Sequence, residues 1–289
     1  MLRLQQRILR AHRPTAPGCS RRRRELGVGS TPDRMTAMSR HLRRLALTCA
    51  LLLAATPSMA QEAPGPGIFA LQTMLSDRSP EIRVEAARGL GRVGGRRAVL
   101  ILRPGLMDRT IEVRIAVVEA LGFIGGSLAL TVLSEALKDR APVIRIRAVE
   151  ALKDAGTVNA IPILQKAFGD KESSVRLHVA LMLRKIGHRN GVPVLGRAAL
   201  ADRDPTVRAT SARYLGTLGV KDPRAVGILS QVLRDDKSPA VRIRAVEALG
   251  FIQLPQAIPV LGTALADRDA GVRLRATEVM GRVLAKDFE

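Results

Sequence analysis

An all-α solenoid of about seven helix pairs is the fold class this sequence predicts, and three features predict it. A Val-Arg or Ile-Arg dipeptide recurs at Ile82-Arg83, Val113-Arg114, Ile144-Arg145, Val175-Arg176, Val207-Arg208, Val241-Arg242 and Val272-Arg273. Successive arginines stand 31, 31, 31, 32, 34 and 31 residues apart, a sustained period of the kind stacked supersecondary units produce. With each Arg as position 0, apolar or small residues fill −1, +3, +4, +7 and +10, which is one side of a 3.6-residue helix. Position +7 is Leu90, Leu121, Leu152, Leu183, Leu215, Leu249 and Met280. One such helix cannot bury its stripe alone, so neighbouring copies must stack.

Composition agrees with a folded core and restricts its chemistry. The 289 residues are 46% hydrophobic and 25% charged, but aromatics are 2% and Trp is absent, so the core must be built from Leu, Ile, Val and Ala. The formal charge is +21. Residues 1–60 hold 12 arginines against Glu25 and Asp33, which leaves +11 for the rest of the chain.

The front of the chain reads as a leader. Arg40, Arg43 and Arg44 precede an apolar run from Leu45 to Ala55, and Ser58-Met59-Ala60 forms a small-x-small box. Residues 35–60 resemble a bacterial secretory signal peptide, which places cleavage after Ala60 and the protein in the periplasm or outside the cell. The apolar run is short of the roughly 20 residues that span a bilayer, so membrane contact is expected only through an uncleaved leader. Residues 1–34, with Arg21-Arg22-Arg23-Arg24, read either as an over-long gene start or as a basic disordered arm. Cys19 and Cys49 both fall before Ala60, so disulfides, thiol catalysis and thiolate metal sites are excluded from the cleaved chain.

Gln61–Gly67 reads as a Pro/Gly linker, and 68–289 as the solenoid. First helices are expected near 68–76, 98–107, 128–138, 159–169, 192–201, 223–234 and 256–266, each followed by a turn and a Val-Arg helix. Pro80, Pro142, Pro205 and Pro239 stand where second helices start; Pro162, Pro193, Pro223 and Pro259 stand near the starts of first helices. Proline is tolerated at a first turn because its missing N–H would have no partner there. Gly94, Gly125, Gly156, Gly187 and Gly219 follow the second helices where a left-handed C-cap is wanted.

The pattern LxD-x-x-P-x-V-R-x-x-A-x-x-L-G resembles HEAT repeats of the short, phycobilisome-lyase type, from Ile68 to about Leu284. That resemblance implies a right-handed α-α superhelix, with first helices on its convex side and second helices lining the concave side. It also implies a structural ladder between neighbouring repeats. The ladder residues are Asp77, Arg83, Asp108, Arg114, Asp139, Arg145, Asp170, Arg176, Asp202, Arg208, Arg242, Asp267 and Arg273. In the sixth unit, whose turn is one residue longer, the acid is Asp235 or Asp236.

On each second helix, positions +2, +5 and +9 lie off the apolar stripe and are expected to face the groove. Most of these rows mix signs, as in Glu85, Arg88 and Arg92; the row Ala116, Glu119 and Phe123 carries a single charge. Candidates for holding a partner are Phe123, Phe251, Leu181, Arg147, Glu150, Lys185, Arg213, Arg244 and Glu247. The two phenylalanines stand out, because a large apolar group on a solvent row suggests a contact point. The last helix keeps Val272, Leu274, Val279, Met280, Val283 and Leu284 where a polar cap is usual. It therefore reads as a surface for self-association or docking, unless Phe288 folds back over it.

Catalysis is not expected at any residue. After Ala60 the chain has two histidines, His178 and His188, with no second ligand spaced for a metal, so neither metal nor cofactor is expected. The His-Glu pairs of HEAT-type deoxyhypusine hydroxylases are absent. The expected function is an exported, non-catalytic scaffold that binds another protein through the concave face. The alternatives are a cytoplasmic nucleic-acid-binding protein using the basic arm and, more remotely, a bilin lyase-like chaperone or subunit. Mixed-sign rows and the lack of stacking aromatics disfavour nucleic acid.

Overall fold

A computed structural model describes residues 66–285, and every described element is helical. The leader, the basic arm, Phe288 and the first five linker residues lie outside the described residues. The first members of the pairs are α1 Pro66–Met74, α3 Gly95–Leu102, α5 Gly126–Ala136, α7 Ile161–Ala167, α9 Val192–Ala201, α11 Pro223–Asp235 and α13 Ala257–Ala264. Each is followed by its Val-Arg helix: α2 Pro80–Val93, α4 Ile111–Ile124, α6 Pro142–Gly156, α8 Ser173–Ile186, α10 Pro205–Leu218, α12 Pro239–Phe251 and α14 Ala270–Ala285. Short 3₁₀ turns at Arg103–Met107, Thr157–Ala160 and Arg189–Gly191 extend or introduce first helices.

Local chemistry sets these boundaries. Pro80, Pro142, Pro205 and Pro239 are the opening residues of α2, α6, α10 and α12, where the ring costs no helical hydrogen bond. The Ser79, Asp204 and Asp222 side chains accept N–H groups of the first turns of α2, α10 and α11. Helix α1 begins at Pro66, inside the stretch read as linker. Gly187 closes α8 in the left-handed region, at φ 69 and ψ 12.

Gly156 and Gly219 do not serve as the expected left-handed caps. Positive φ falls instead on Thr157 and Lys221, and both glycines are needed for space. A Cβ on Gly156 would lie 2.5 Å from Leu130 Cδ1, and one on Gly219 would lie 2.4 Å from Ala225 Cβ.

Even-numbered helices stack on even-numbered ones, and each also packs on the odd-numbered helix of its own pair. The core is one continuous layer of Leu, Val, Ile and Ala, with Leu90, Leu121, Leu152, Leu183, Leu215 and Leu249 fully buried at +7. The stripe fails at the two ends. Ile82 and Val93 are exposed in the first repeat, and Thr277 at +4 of α14 is exposed in the last. No further repeat among the described residues covers those positions, so the reason is nearest-neighbour stacking rather than helix geometry.

A small-residue contact sets the distance between even helices at four of the six steps. Gly91, Gly122, Gly216 and Gly250, all at +8, face Ala120, Ala151, Ala248 and Val279, all at +6 of the next even helix. Lys153 and Arg184 occupy +8 at the two middle steps, where the +6 residues of the next even helix are Met182 and Tyr214, and Arg184 lies over the Tyr214 ring. Helices α6, α8 and α10 accordingly approach one another less closely than the glycine-stepped helices do.

Candidate functional site

Two charged systems run along the repeats, one inside and one outside. The inner system joins each repeat to the next. Arg83 Nε lies 2.7 Å from Asp108 Oδ2, Arg114 Nε 2.8 Å from Asp139, Arg145 Nε 2.6 Å from Asp170 and Arg176 Nε 2.8 Å from Asp202. Arg208 Nε follows at 2.7 Å from Asp236, and Arg242 Nε at 2.8 Å from Asp267 Oδ2.

Every rung has one design. The fork donates Nε and Nη2 to both carboxylate oxygens, while Nη1 donates to the backbone carbonyl of its own repeat's Asp, as Arg145 does to Asp139 at 2.9 Å. That Asp in turn accepts the N–H two residues on, as Asp170 does from Glu172. Each rung therefore fixes two turns at once. The sixth unit uses Asp236, whose place in the lengthened turn matches the other acids; Asp235 points to solvent beside Arg234.

The electrostatics follow from that bonding. Burial disfavours a charged Asp170, but the hydrogen bonds from Arg145 and from the Glu172 N–H outweigh it and hold the carboxyl below its usual range. The same balance holds Asp108 and Asp236 down. At Asp267 the Arg242 fork is the largest effect. Bonding to the carboxylates raises Arg83, Arg145, Arg176, Arg208 and Arg242 in turn. At the two ends the ladder is open among the described residues: Asp77 has no preceding arginine, and Arg273 keeps only its bond to the Asp267 carbonyl.

The outer system lies on the exposed side of the even helices. Arg88 pairs with Glu85 at 2.6 Å, Arg147 with Glu150 at 3.0 Å, and Arg244 with Glu247 at 2.7 Å. Arg275 bridges Glu247 and Glu278, at 2.7 Å to each. Burial works against charge on Glu247, but Arg244 and Arg275 together keep its pKa below the ordinary value. Three shallow hollows open between these helices. One is rimmed by Glu119, Phe123, Arg147, Glu150 and Asp154; a second by Arg184, Lys185 and Thr217; a third by Thr210, Arg213 and Arg244.

A HEAT repeat family model matches residues 69–153, 130–208 and 192–281, the span over which helices, rungs and glycine steps recur. The chain belongs to the HEAT repeat family. No curated protein matches it. Among solved structures it is similar to human deoxyhypusine hydroxylase in complex with glycerol, at 24% identity and TM-score 0.40, over 76% of this chain and 86% of that one. It is also similar to the complex of CpcE and CpcF of phycocyanin lyase from Nostoc sp. PCC7120, at 21% identity and TM-score 0.41, over 78% and 97%. An engineered protein matches at 22% identity and TM-score 0.43, over 76% and 68%.

Within this HEAT array the expected groove residues separate by burial. Phe123 is 77% exposed and Phe251 56% exposed, so neither is tucked over a neighbouring ridge. Arg147, Lys185, Arg213 and Arg244 are exposed, and Glu150 is half-buried against Arg147 and His178. Leu181 is partly buried against the core, and Ala116, expected on the groove row, is buried. The burial of Ala116 follows from size: a small residue at the edge of the stripe is covered where the next helix comes close.

Sequence reasoning passed over Tyr214. Its ring lies beneath two guanidinium groups, Arg213 at 4.9 Å and Arg184 at 5.3 Å from the centroid. The available signal was the loss of the +8 glycine at Arg184. Among the described residues no group of three or more His, Cys, Asp or Glu is placed to hold a metal, and no helix is long and apolar enough to cross a membrane.

Proposed function

We propose that this HEAT array is a non-catalytic scaffold that holds a protein partner on the exposed side of its even-numbered helices. The observation that carries the reading is the pair of solvent-exposed phenylalanines, Phe123 and Phe251, at the same +9 position of α4 and α12. Phe251 ends a row whose charges, Arg244 and Glu247, pair with each other, and Phe123 stands beside the Arg147–Glu150 pair of the next even helix. Desolvated aromatic anchors surrounded by neutral or polar contacts are the usual source of binding energy at protein interfaces, and helices fixed by a ladder lose little freedom on binding.

The test is photo-cross-linking. With p-benzoylphenylalanine in place of Phe123 or Phe251, both positions are expected to yield an adduct of one shared mass in the producing cell. The Phe123→Ala, Phe251→Ala chain should melt within about 2 °C of the parent, since exposed substitutions stay near ±0.5 kcal/mol. Absence of an adduct at both positions, or a large drop in melting temperature, would overturn the assignment.

The second part of the proposal is export, supported by the basic, apolar and small-residue segments of residues 35–60. An intact mass beginning at Gln61 in the extracytoplasmic fraction is the expected result. A cytoplasmic species retaining residues 1–60 would remove export and bring forward nucleic-acid binding through the tetra-arginine run. The exposed Leu274 and Leu284 of α14 give the scaffold a further surface, suited to a second copy.

A further inference from the structure

Between the two end repeats, cations on the exposed face of the even helices are paired with carboxylates except at the step between α8 and α10; in the end repeats Arg92 and Arg282, at +9 of α2 and α14, also have no carboxylate partner among the described residues. Arg88, Arg147, Arg244 and Arg275 each have a glutamate within 3.0 Å. Arg184, Lys185 and Arg213 are exposed, and among the described residues none of the three has a carboxylate partner. The two arginines are nevertheless held in place. The Arg184 and Arg213 guanidiniums both lie over the Tyr214 ring, and Arg213 Nη2 is 3.2 Å from the Tyr214 hydroxyl. Tyr214 is itself partly buried against the core.

The origin is steric. Where the tight steps place Gly against Ala or Val, this step places Arg184 against Tyr214, which widens the gap between α8 and α10 and opens a hollow rimmed by Arg184, Lys185, Thr217 and Leu218. Stacking leaves the edges of the guanidinium planes free, and those edges are the donors that match a carboxylate two at a time. Two like charges held over one ring and left without a counter-ion lower the cost of bringing an anion to them.

We propose that the α8–α10 step recognises carboxylate side chains of an extended protein segment, a reading that rests on the scaffold assignment and names the chemistry of its partner. Adjacent packed helices lie about 8–10 Å apart, and an extended chain advances about 3.3 Å per residue. The step therefore suits carboxylates two or three residues apart. Its flanks set the length. Glu150 and Asp154 on α6, and Glu247 on α12, bound the positive region on either side, so a continuous phosphate backbone following the array would meet carboxylates at both ends.

The test uses the full chain and a fluorescein-labelled hexaglutamate peptide, followed by anisotropy at low and at 0.5 M salt, with hexaglutamine and a twelve-nucleotide oligothymidine as comparisons. Hexaglutamate is expected to bind in a salt-sensitive manner while hexaglutamine does not. The Arg184→Gln, Arg213→Gln variant should weaken it at least tenfold, and Lys185→Glu alone, at an exposed side chain that holds no contact, several-fold. Arg78→Gln with Arg109→Gln removes the same charge elsewhere and should leave affinity unchanged. Equal loss in that control, undiminished binding in the first variant, or tighter binding of the oligothymidine would overturn the proposal. The Phe123→Ala, Phe251→Ala chain should keep its hexaglutamate affinity, so failure of the cross-linking test and failure of this one are separable.

Discussion

Arg145→Ala is expected to destabilise the array by about 3–5 kcal/mol, the usual consequence of stranding one partner of a buried ion pair. Only 6% of the Arg145 side chain is exposed, and it satisfies both oxygens of Asp170 together with the carbonyls of Asp139 and Arg140. Truncation leaves a charged carboxylate with only the Glu172 N–H as partner, and two carbonyls without the guanidinium, in a place water reaches poorly. The matching change at the open end, Arg273→Ala, removes one exposed bond to a backbone carbonyl and should fall within about 0.5 kcal/mol. Urea unfolding of the two variants decides the matter. Similar midpoints would mean that the rungs decorate the interface rather than hold it.

The position of this rung gives the experiment a second readout. It bridges the step from α6 to α8, where Lys153 stands at +8 and the glycine contact is missing. In an array whose repeats touch only their neighbours, stability is a sum of repeat and interface contributions. Weakening an interface that already lacks close helix contact should uncouple the first three repeats from the last four and split a single transition into two. Replacing Arg145 and Asp170 together by Met and Leu should recover only part of the loss. The Glu172 N–H and the Asp139 carbonyl would still lose their partners.

The fold was legible because each repeat writes the same physical requirements in the same register. The apolar stripe at −1, +3, +4 and +7, the opening proline and the paired Asp and Arg each fix a local choice, and all favour stacked helix pairs. What the stripe could not carry was anything set by the neighbour across a step. Ala116 sits on a polar row by angle and is nevertheless buried, because α4 is closely packed on both sides by glycine steps. Gly156 and Gly219 looked like conformational caps, but the space they leave is taken by Leu130 and Ala225 on other helices. Tyr214 was invisible for the same reason: its meaning lies in Arg184, thirty residues earlier on a different helix. Of the candidate site, the two phenylalanines could be read from periodicity alone, whereas the unpaired cations could not. Whether a surface arginine has a counter-ion depends on which helix lies beside it.

Gly216→Val should cost about 3 kcal/mol or more, the upper end of what overpacking a well-filled interface does. A Cβ at this position would stand 2.6 Å from the Ala248 Cα, 2.8 Å from its carbonyl oxygen and 2.9 Å from its Cβ. The obstruction is helix backbone, so no rotamer change relieves it and α12 must move as a body. That movement would pull on the Arg208–Asp236 rung, which joins the same two repeats. Gly281 occupies the equivalent +8 position of α14 with nothing within 4 Å of its would-be Cβ. Gly281→Val exchanges one poor helix former for a better one and should be neutral or slightly stabilising. Both glycines are helical, so backbone strain does not enter and the difference between the two melting temperatures isolates the close approach of α10 and α12. A loss at Gly216 no larger than at Gly281 would show that the even helices slide apart at little cost, and that the rungs alone set the spacing of the repeats.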